Sequence, residues 1–343
     1  MKAARLHSYD DDHLRIDDID EPKLEGPHDV IVRIGGAGLC RTDLHIIEGI
    51  LKDTFPDLRL PYTLGHENSG WVEEVGSSVT SVKPGDPVIV HPKRSCGVCL
   101  ACRRGEDMYC ETGPFPGLDS EGGFAEYLNT SERALVKLDE SLEPKGVAAL
   151  ADAGITAYRA ARKAASSLPP GSKCVVIGVG GLGHIGIQVL RALGAAEIIA
   201  ADISEEARKL AEQSGADHVI EAGDGLVERV MELTDGKGAE GVLDFVGERG
   251  VPAQVPHMLR QGGTYYVVGY GEKVSIPNWD FVIREINVVG TLVGNYTDLA
   301  ELMALAARGL VKLHTQVYSL ENTNQAIDDL NSGQLAGRGI LVP

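Results

Sequence analysis

The sequence predicts an α/β protein with two domains, one a doubly wound parallel sheet and the other mostly β. A chain of 343 residues exceeds the size that one hydrophobic core usually serves. Between residues 154 and 289, apolar strand-like runs alternate with helical segments, the pattern of a parallel sheet covered on both faces. Residues 1–153 instead show short strand-like runs between turn signals, and residues 290–343 are expected to return to that first domain.

The composition is that of an acidic globular protein. Lysine and arginine total 32 and aspartate and glutamate total 50, giving a formal net charge of −18. This charge favours solubility and opposes sequence-independent binding to nucleic acid, because phosphates would be repelled. The start lacks an apolar run of signal-peptide length, and the uncharged window 174–190 carries a glycine pattern that argues against a membrane span. We therefore expect a cytoplasmic protein without membrane or nucleic-acid partners.

In the first domain, strands are expected at 30–34, 70–75, 86–90 and 124–128, with no helical period before about residue 146. Cys40 follows a glycine-rich run, 35–38, that looks flexible. A thiolate is a soft zinc ligand, although a cysteine by itself is more often a small buried hydrophobe. Thr42 and His45 follow, so that a hydroxyl and an imidazole could form a proton path; His45 alone would be a surface histidine.

The next candidate site residues are His66, Glu67 and Asp152. His66 offers a nitrogen ligand, and Glu67 could be a ligand, a partner of a ligand or a general base. Asp152 lies in a small, apolar run, where a carboxylate needs a partner or a metal unless it caps the following helix. A cysteine, a histidine and a carboxylate can hold one zinc ion and leave its fourth position open, as catalytic zinc requires.

A second metal site is predicted from four cysteines at spacings of two, two and seven residues: Cys96, Cys99, Cys102 and Cys110. Four thiolates close a tetrahedral zinc site, which then has a structural role. In a reducing compartment such a cluster favours a metal over disulfides, and an iron–sulfur cluster is the alternative.

The second domain carries a nucleotide-binding fingerprint, Gly178-Val179-Gly180-Gly181-Leu182-Gly183, between a strand and a helix. Its glycines let a pyrophosphate approach the backbone at a helix N-terminus. Asp202 ends the next strand, 19 residues past Gly183, where a carboxylate binds ribose and repels a 2′-phosphate, so NAD is favoured over NADP. Arg208 could flank the ribose or lie on a solvated face, and Val268, at a later strand end, completes the candidate cofactor-binding residues.

Strands are predicted at 174–177, 198–201, 218–220, 242–246, 265–268 and 288–292, and helices at 182–193, 205–214 and 226–233. The closing segment should hold a helix at 299–307 and a strand at 338–342. Trp279 is assigned to core or interface packing. The candidates for a substrate pocket are Thr54, Phe55, Trp71 and Tyr296.

Taken together, these residues resemble the zinc-dependent alcohol dehydrogenases of the medium-chain dehydrogenase/reductase superfamily. The resemblance rests on the motifs above and on Glu121-Gly122-Gly123-Phe124-Ala125-Glu126-Tyr127, and it spans nearly the whole chain. It implies a GroES-like catalytic domain and a Rossmann domain. It further implies that Cys40, His66 and Asp152 bind the catalytic zinc, with Glu67 nearby. Many members have a second cysteine where Asp152 stands, and the aspartate keeps the single negative charge of that ligand. In having an aspartate at this position the chain is similar to the bacterial secondary-alcohol dehydrogenases of the family.

The resemblance also implies that Arg41 contacts the cofactor pyrophosphate and that the protein is a homo-oligomer, a tetramer rather than a dimer. The expected reaction is reversible hydride transfer between NAD and a primary, secondary or aromatic alcohol, with the proton leaving through the Thr42 hydroxyl, the cofactor ribose and His45. Two Zn²⁺ per chain are expected, one catalytic and one structural. The rival interpretations are a polyol or sugar dehydrogenase of the same superfamily, a non-catalytic NAD-binding redox sensor, and a zinc-free quinone reductase.

Overall fold

The computed structural model describes residues 1–9, 11–54, 58–335 and 337–343. Two compact units divide the chain: the first comprises Met1–Ile155, Gly294–Ala307 and Leu313–Pro343, and the second comprises Thr156–Val293 and Arg308–Lys312.

The first stretch of the chain holds short strands and helices. Its strands are β1 (Lys2–Leu6), β2 (Arg15–Asp18), β3 (Asp29–Leu39), β4 (Tyr62–Thr63), β5 (Glu67–Val75), β6 (Pro87–Val90), β7 (Tyr127–Ser131) and β8 (Leu135–Lys137). Its helices are α1 (Arg41–Ile47), α2 (Leu100–Arg103), α3 (Pro144–Val147) and α4 (Ala153–Ala165).

Strand and helix then alternate until the chain returns to the first unit. The strands are β9 (Lys173–Ile177), β10 (Glu197–Asp202), β11 (His218–Glu221), β12 (Ala239–Asp244), β13 (Leu259–Val267) and β14 (Asn287–Gly290). The helices are α5 (Gly183–Leu193), α6 (Glu205–Gln213), α7 (Leu226–Leu233), α8 (Val251–Met258) and α9 (Asn278–Ile283). The remaining elements are α10 (Tyr296–Ala307), β15 (Thr315–Ser319), α11 (Thr323–Asn331) and β16 (Arg338–Val342).

The first unit is built on a seven-stranded sheet in the order β15-β16-β3-β5-β6-β8, with β7 paired to β3, and on a three-stranded sheet in the order β2-β1-β4. Apart from β15 and β16, which run parallel, all of these pairs are antiparallel. Apolar side chains of β3, β5, β6 and α1 form its core. The prediction of a mostly β domain is confirmed.

The glycine run at 35–38 is not a flexible loop, as the sequence suggested, but part of the long strand β3. A Cβ at Gly35 would lie 2.6 Å from the Trp71 ring, one at Gly36 would lie 2.9 Å from the Lys145 backbone, and one at Gly38 would overlap Glu67. These glycines therefore serve close packing. Two further predictions for this unit were wrong: helices α1 and α2 lie before residue 146, where no helical period was expected, and the strand expected at 124–128 begins at Tyr127.

One ion-pair and hydrogen-bond cluster joins β7 to distant loops. Glu132, directly after β7, accepts hydrogen bonds from the amide of Thr80, the hydroxyl of Ser81 and the His28 ring, the last at 2.6 Å. Burial alone would raise the pKa of Glu132, but these donors outweigh it and lower the pKa to about 2.

The second unit is a six-stranded parallel sheet in the order β11-β10-β9-β12-β13-β14. The order reverses between β9 and β12, the arrangement of a doubly wound dinucleotide-binding sheet. The predicted fold class is confirmed. Each predicted strand and helix of this unit is present, although β13 begins six residues before its predicted start. Helices α8 and α9 were not predicted, α8 because Pro252 and Pro256 lie within it.

Within the described part of the chain, no helix is long and apolar enough to cross a membrane. The apolar window 174–190 is divided between β9 and α5.

Candidate functional site

Four candidate ligands from separate parts of the first unit meet at one point. Cys40 lies between β3 and α1, His66 directly precedes β5, Glu67 is the first residue of β5, and Asp152 directly precedes α4. The Sγ of Cys40, one ring nitrogen of His66 and one oxygen of each carboxylate all lie within 4.8 Å of one another. The structure therefore brings together the residues that the sequence predicted as catalytic-zinc ligands.

The sheet register explains how Cys40 meets His66. Strands β3 and β5 pair antiparallel with Gly38 opposite Glu67, so the residue after β3 lies beside the residue before β5. Gly65 precedes His66 with φ of +98°, where a Cβ would overlap Phe124. This turn needs glycine on both counts.

Asp43 supports the site from α1, although the sequence analysis did not single it out. Its Oδ2 accepts a hydrogen bond of 2.8 Å from the Cys40 amide, and its Oδ1 lies 3.3 Å from His66 Nδ1. On the other side of the ring, His66 Nε2 lies 3.5 Å from Asp152 Oδ2. Burial would lower the pKa of His66, but the carboxylates of Asp43 and Asp152 raise it well above its usual value.

Arg338, at the start of β16, forms an ion pair with Glu67 Oε1. The side chains are 5% and 0% exposed, so the pair is buried. Glu67 Oε1 also accepts a hydrogen bond of 3.0 Å from the Ala153 amide. Burial raises the pKa of Glu67, while Arg338 and His66 act in the opposite direction. No local signal in the sequence pointed to Arg338.

The donor set fits a divalent metal ion. Within the described residues, two buried carboxylate oxygens at the site have no hydrogen-bond partner: Glu67 Oε2 and Asp152 Oδ1. Buried polar groups without partners are rare, and carboxylates at this spacing repel each other unless a cation lies between them. A thiolate, an imidazole and carboxylates are together the ligand types of zinc.

The predicted proton path lies on α1. Thr42 Oγ1 is 3.6 Å from Cys40 Sγ, and both Thr42 and His45 are half-buried. Residues three apart share one face of a helix, so these two side chains are neighbours. Arg41 is exposed at the first position of the same helix.

The four lobe cysteines also meet, with their sulfur atoms within 4.8 Å of one another. The amides of Cys96 and Gly113 donate to Cys110 Sγ at 3.2 and 3.3 Å, and the amide of Cys99 donates to Cys96 Sγ. Amide donors lower the pKa of Cys96 to about 6, which favours its thiolate, whereas burial raises the pKa of Cys102 to about 12. All six cysteines of the chain are free thiols.

The glycines of the fingerprint have different roles. Gly178 has φ of +85° and packs on Val246, and a Cβ at Gly183 would overlap the Gly178 carbonyl, so both are required by the fold. Gly180 is exposed and lies outside the positive φ region, and nothing in the described chain lies within 4 Å of an added Cβ. The space beside Gly180 therefore suits a ligand that approaches the backbone, which is how the loop fits a dinucleotide.

The other predicted cofactor residues surround this loop. Leu182 is the N-cap of α5, and Asp202 ends β10, where its Oδ2 accepts a 2.7 Å hydrogen bond from the Val179 amide. Arg208 donates hydrogen bonds to the carbonyl oxygens of Asp202 and Ile203, so its guanidinium stabilises the backbone at the end of β10. Val268 follows β13 and donates to the Asp244 carbonyl.

Asp244 is a further buried acid that the sequence analysis missed. Its Oδ1 accepts from the amides of Val246 and Gly247, and its Oδ2 accepts from the Tyr265 hydroxyl. These bonds shape the turn after β12 at the carboxyl edge of the sheet. Its position at the end of the buried strand β12 was the sequence signal that could have identified it as a candidate site residue.

Three of the four pocket candidates have positions in the structure. Trp71 lies on β5 with the Arg33 guanidinium 4.6 Å above its ring, Tyr296 donates from its hydroxyl to the Leu135 carbonyl, and Thr54 is exposed. Phe55 lies outside the described residues.

Comparison with known proteins gives consistent matches along the chain. Residues 26–140 match the alcohol dehydrogenase GroES-like domain, and residues 181–308 match the zinc-binding dehydrogenases. The chain is 37% identical to a NAD-dependent alcohol dehydrogenase of Sulfurisphaera tokodaii over 100% of both chains. It is also 37% identical to the D-arabinose 1-dehydrogenase (NADP(+)) of Saccharolobus solfataricus, over 100% of this chain and 97% of that one. The crystal structure of the alcohol dehydrogenase from Aeropyrum pernix superposes with a TM-score of 0.96 at 47% identity, covering both chains completely.

Proposed function

Because the chain belongs to the zinc-binding alcohol dehydrogenases with a GroES-like domain, we propose that it transfers hydride reversibly between alcohols and NAD. The alcohol loses a hydride from its carbon and a proton from its oxygen, giving an aldehyde or a ketone and NADH. The observation that carries the proposal is the meeting of Cys40, His66, Glu67 and Asp152 within 4.8 Å of one another.

In this proposal Cys40, His66 and Asp152 hold the catalytic zinc, and Cys96, Cys99, Cys102 and Cys110 hold a structural zinc. When bound, the catalytic zinc supplies a Lewis acid that lowers the pKa of an alcohol hydroxyl. Glu67 keeps one oxygen on Arg338 and one oxygen free of hydrogen bonds, so its carboxylate can approach the metal without leaving its partner.

The chain's own residues then handle the proton. The Thr42 hydroxyl can accept a hydrogen bond from the substrate hydroxyl and pass a proton onward, and its distance of 3.6 Å from Cys40 Sγ supports this role. His45, half-buried one turn further along α1, can deliver that proton to water because imidazole titrates near neutral pH.

For the cofactor we propose NAD, bound by the loop 178–183 and by Asp202, with Arg41, Arg208 and Val268 as further contacts. Asp202 supports NAD over NADP, because a carboxylate at the end of this strand repels a 2′-phosphate. Its Oδ2 already holds the glycine loop through the Val179 amide, its Oδ1 accepts from the Ser204 amide after β10, and carboxylate oxygens can each accept a second hydrogen bond.

A sugar dehydrogenase is the second candidate function. It is favoured by the similarity to the D-arabinose 1-dehydrogenase, which is as high as that to the alcohol dehydrogenase. That relative is named for NADP(+), whereas Asp202 favours NAD here. Cofactor choice therefore separates the two.

The test is to follow NADH formation across primary, secondary, aromatic and polyhydroxy alcohols and aldose sugars, with NADP as the alternative cofactor. Metal content and activity are measured before and after chelation. Activity on simple or aromatic alcohols with NAD, lost with zinc, supports the proposal. Activity confined to sugars, or dependent on NADP, supports the second candidate. A protein that binds zinc and NAD but oxidises none of these would contradict both.

We also propose a homo-oligomer, a tetramer rather than a dimer, in the reducing cytoplasm, where thiol ligands stay reduced. Helix α9 exposes Trp279, Phe281 and Val282, and Val288 is exposed on the edge strand β14. Trp279 is 66% exposed, which argues against the core and for an interface. Light scattering of the Val288→Lys variant should show smaller particles than the wild type; a monomeric wild type would refute the proposal.

A further inference from the structure

A buried histidine holds the central peptide of the glycine loop. The Nδ1 of His184 lies 2.7 Å from the carbonyl oxygen of Gly180, and His184 is only 1% exposed. A carbonyl oxygen only accepts hydrogen bonds, so Nδ1 carries the hydrogen. Because His184 is the second residue of α5, the helix backbone fixes the position of this donor.

The orientation of the Gly180–Gly181 peptide follows from this bond. In a trans peptide the C=O and N–H groups point in opposite directions, so with its C=O directed at His184 the Gly181 N–H points away from that ring. Within the described residues nothing accepts a hydrogen bond from the Gly181 N–H. The adjoining space at Gly180 is open.

We propose that His184 is a positioning residue that holds the Gly180–Gly181 peptide with its N–H, and not its C=O, available to the diphosphate of the dinucleotide. This inference rests on the proposed NAD site.

A peptide between two glycines needs such a restraint. Glycine adopts both signs of φ at little cost, so this peptide could turn over and present its oxygen to the diphosphate. An anionic phosphate is stabilised by N–H groups at a helix N-terminus and repelled by a carbonyl oxygen. The Asp202 carboxylate restrains the neighbouring Val179 amide, but within the described part of the chain it forms no hydrogen bond with the Gly180 carbonyl. His184 is the side chain that does.

The experiment compares His184→Asn with His184→Gln. Asparagine carries its N–H₂ group on the γ carbon, where it can replace the Nδ1 donor, whereas glutamine places its donor one atom further away. Calorimetry measures binding of ADP, which carries a diphosphate, and of adenosine, which does not. We expect His184→Gln to bind ADP about tenfold more weakly, as for loss of one hydrogen bond to an anion, with adenosine unchanged. His184→Asn should recover most of that loss.

Equal ADP affinity in the glutamine variant would overturn the inference, and so would equal losses for ADP and adenosine, since those indicate a general packing defect. If neither variant folds, a measurement on the wild-type protein still tests whether the Gly181 N–H faces the diphosphate. With ¹⁵N-glycine labelling, the Gly181 amide signal should shift and exchange more slowly when ADP binds, and an unchanged signal would refute the inference. A wild-type protein that binds neither ADP nor NADH would instead refute the proposed cofactor itself.

Discussion

Replacing Arg338 by methionine should destabilise the first unit strongly, because it leaves the buried Glu67 carboxylate without its partner. Both side chains are at most 5% exposed, so water cannot take the place of the guanidinium. Glu67 would retain only the hydrogen bond from the Ala153 amide. Methionine fills a similar volume without charge, so the change removes mainly the ion pair.

The size of the effect follows from the burial. Breaking a buried ion pair by removing one partner costs about 3–5 kcal/mol, against about 0–1 kcal/mol for an exposed pair. For a unit of this size each kcal/mol lowers Tm by about 2–4 °C, so a fall of about 6–20 °C is expected. Replacing both residues, as in Glu67→Gln with Arg338→Met, should restore most of the loss because no buried charge is left unpaired.

Thermal melts in the presence of a chelator test this, with Arg15→Met as the matched control. Arg15 forms an exposed pair with Asp11 in the same unit, so its loss should change Tm by little. With excess zinc the loss for Arg338→Met should be smaller, because a divalent cation beside Glu67 compensates part of the missing charge. An Arg338→Met variant as stable as Arg15→Met without metal would refute the reasoning.

Three further predictions use single substitutions. Gly183→Ala should lower Tm because the added Cβ overlaps the Gly178 carbonyl. Gly180→Ala should keep the wild-type Tm but weaken NADH binding, because its Cβ enters the open space beside the loop. Thermal melts and fluorescence titration with NADH test this, and two variants that behaved alike would contradict it. Thr42→Val should cut turnover without changing zinc content, and normal turnover would remove Thr42 from the proton path. Glu132→Gln should lower stability by about 1–2 kcal/mol at pH 7. Folding lowers the pKa of Glu132, so its carboxylate contributes to stability above its unfolded pKa of about 4.3, and this contribution is lost as the pH falls toward 2. The difference in Tm between wild type and Glu132→Gln should therefore shrink between about pH 4.3 and pH 2. A constant difference would contradict the assignment.

The second unit could be predicted closely because its signals are local. Each parallel strand is a short apolar run, each helix follows with its own period, and the fingerprint fixes where β9 ends and α5 begins. The predicted helix at 226–233 matches α7 to the residue. Helix α8 was not predicted because two prolines usually argue against a helix. Pro252, however, lies in its first turn, where the backbone N–H that proline lacks would have no partner within the helix.

The first unit was harder because its geometry depends on distant contacts. Nothing within a few residues of Gly35 or Gly38 shows that Trp71 and Glu67 pack against them, so the run looked like a loop. Helix α1 has only seven residues, too few to establish a period. Asp43 did carry a local signal, since an acid three residues after the N-cap residue, here Cys40, is a capping pattern.

The charges around the candidate metal site explain why Arg338 belongs to it despite lying 271 residues from Glu67. The ligand set holds one thiolate and two carboxylates, and one guanidinium faces it. The three predicted ligands, Cys40, His66 and Asp152, carry a charge of −2 that one Zn²⁺ would neutralise, and the Glu67 carboxylate and the Arg338 guanidinium cancel each other. Without Arg338 the additional carboxylate of Glu67 would leave an excess negative charge in a region that excludes water. A sequence pattern identifies metal ligands by their chemistry and spacing, whereas a compensating charge such as that of Arg338 needs only to be close in space. Here the pairing of β16 with β3 brings Arg338 beside Cys40.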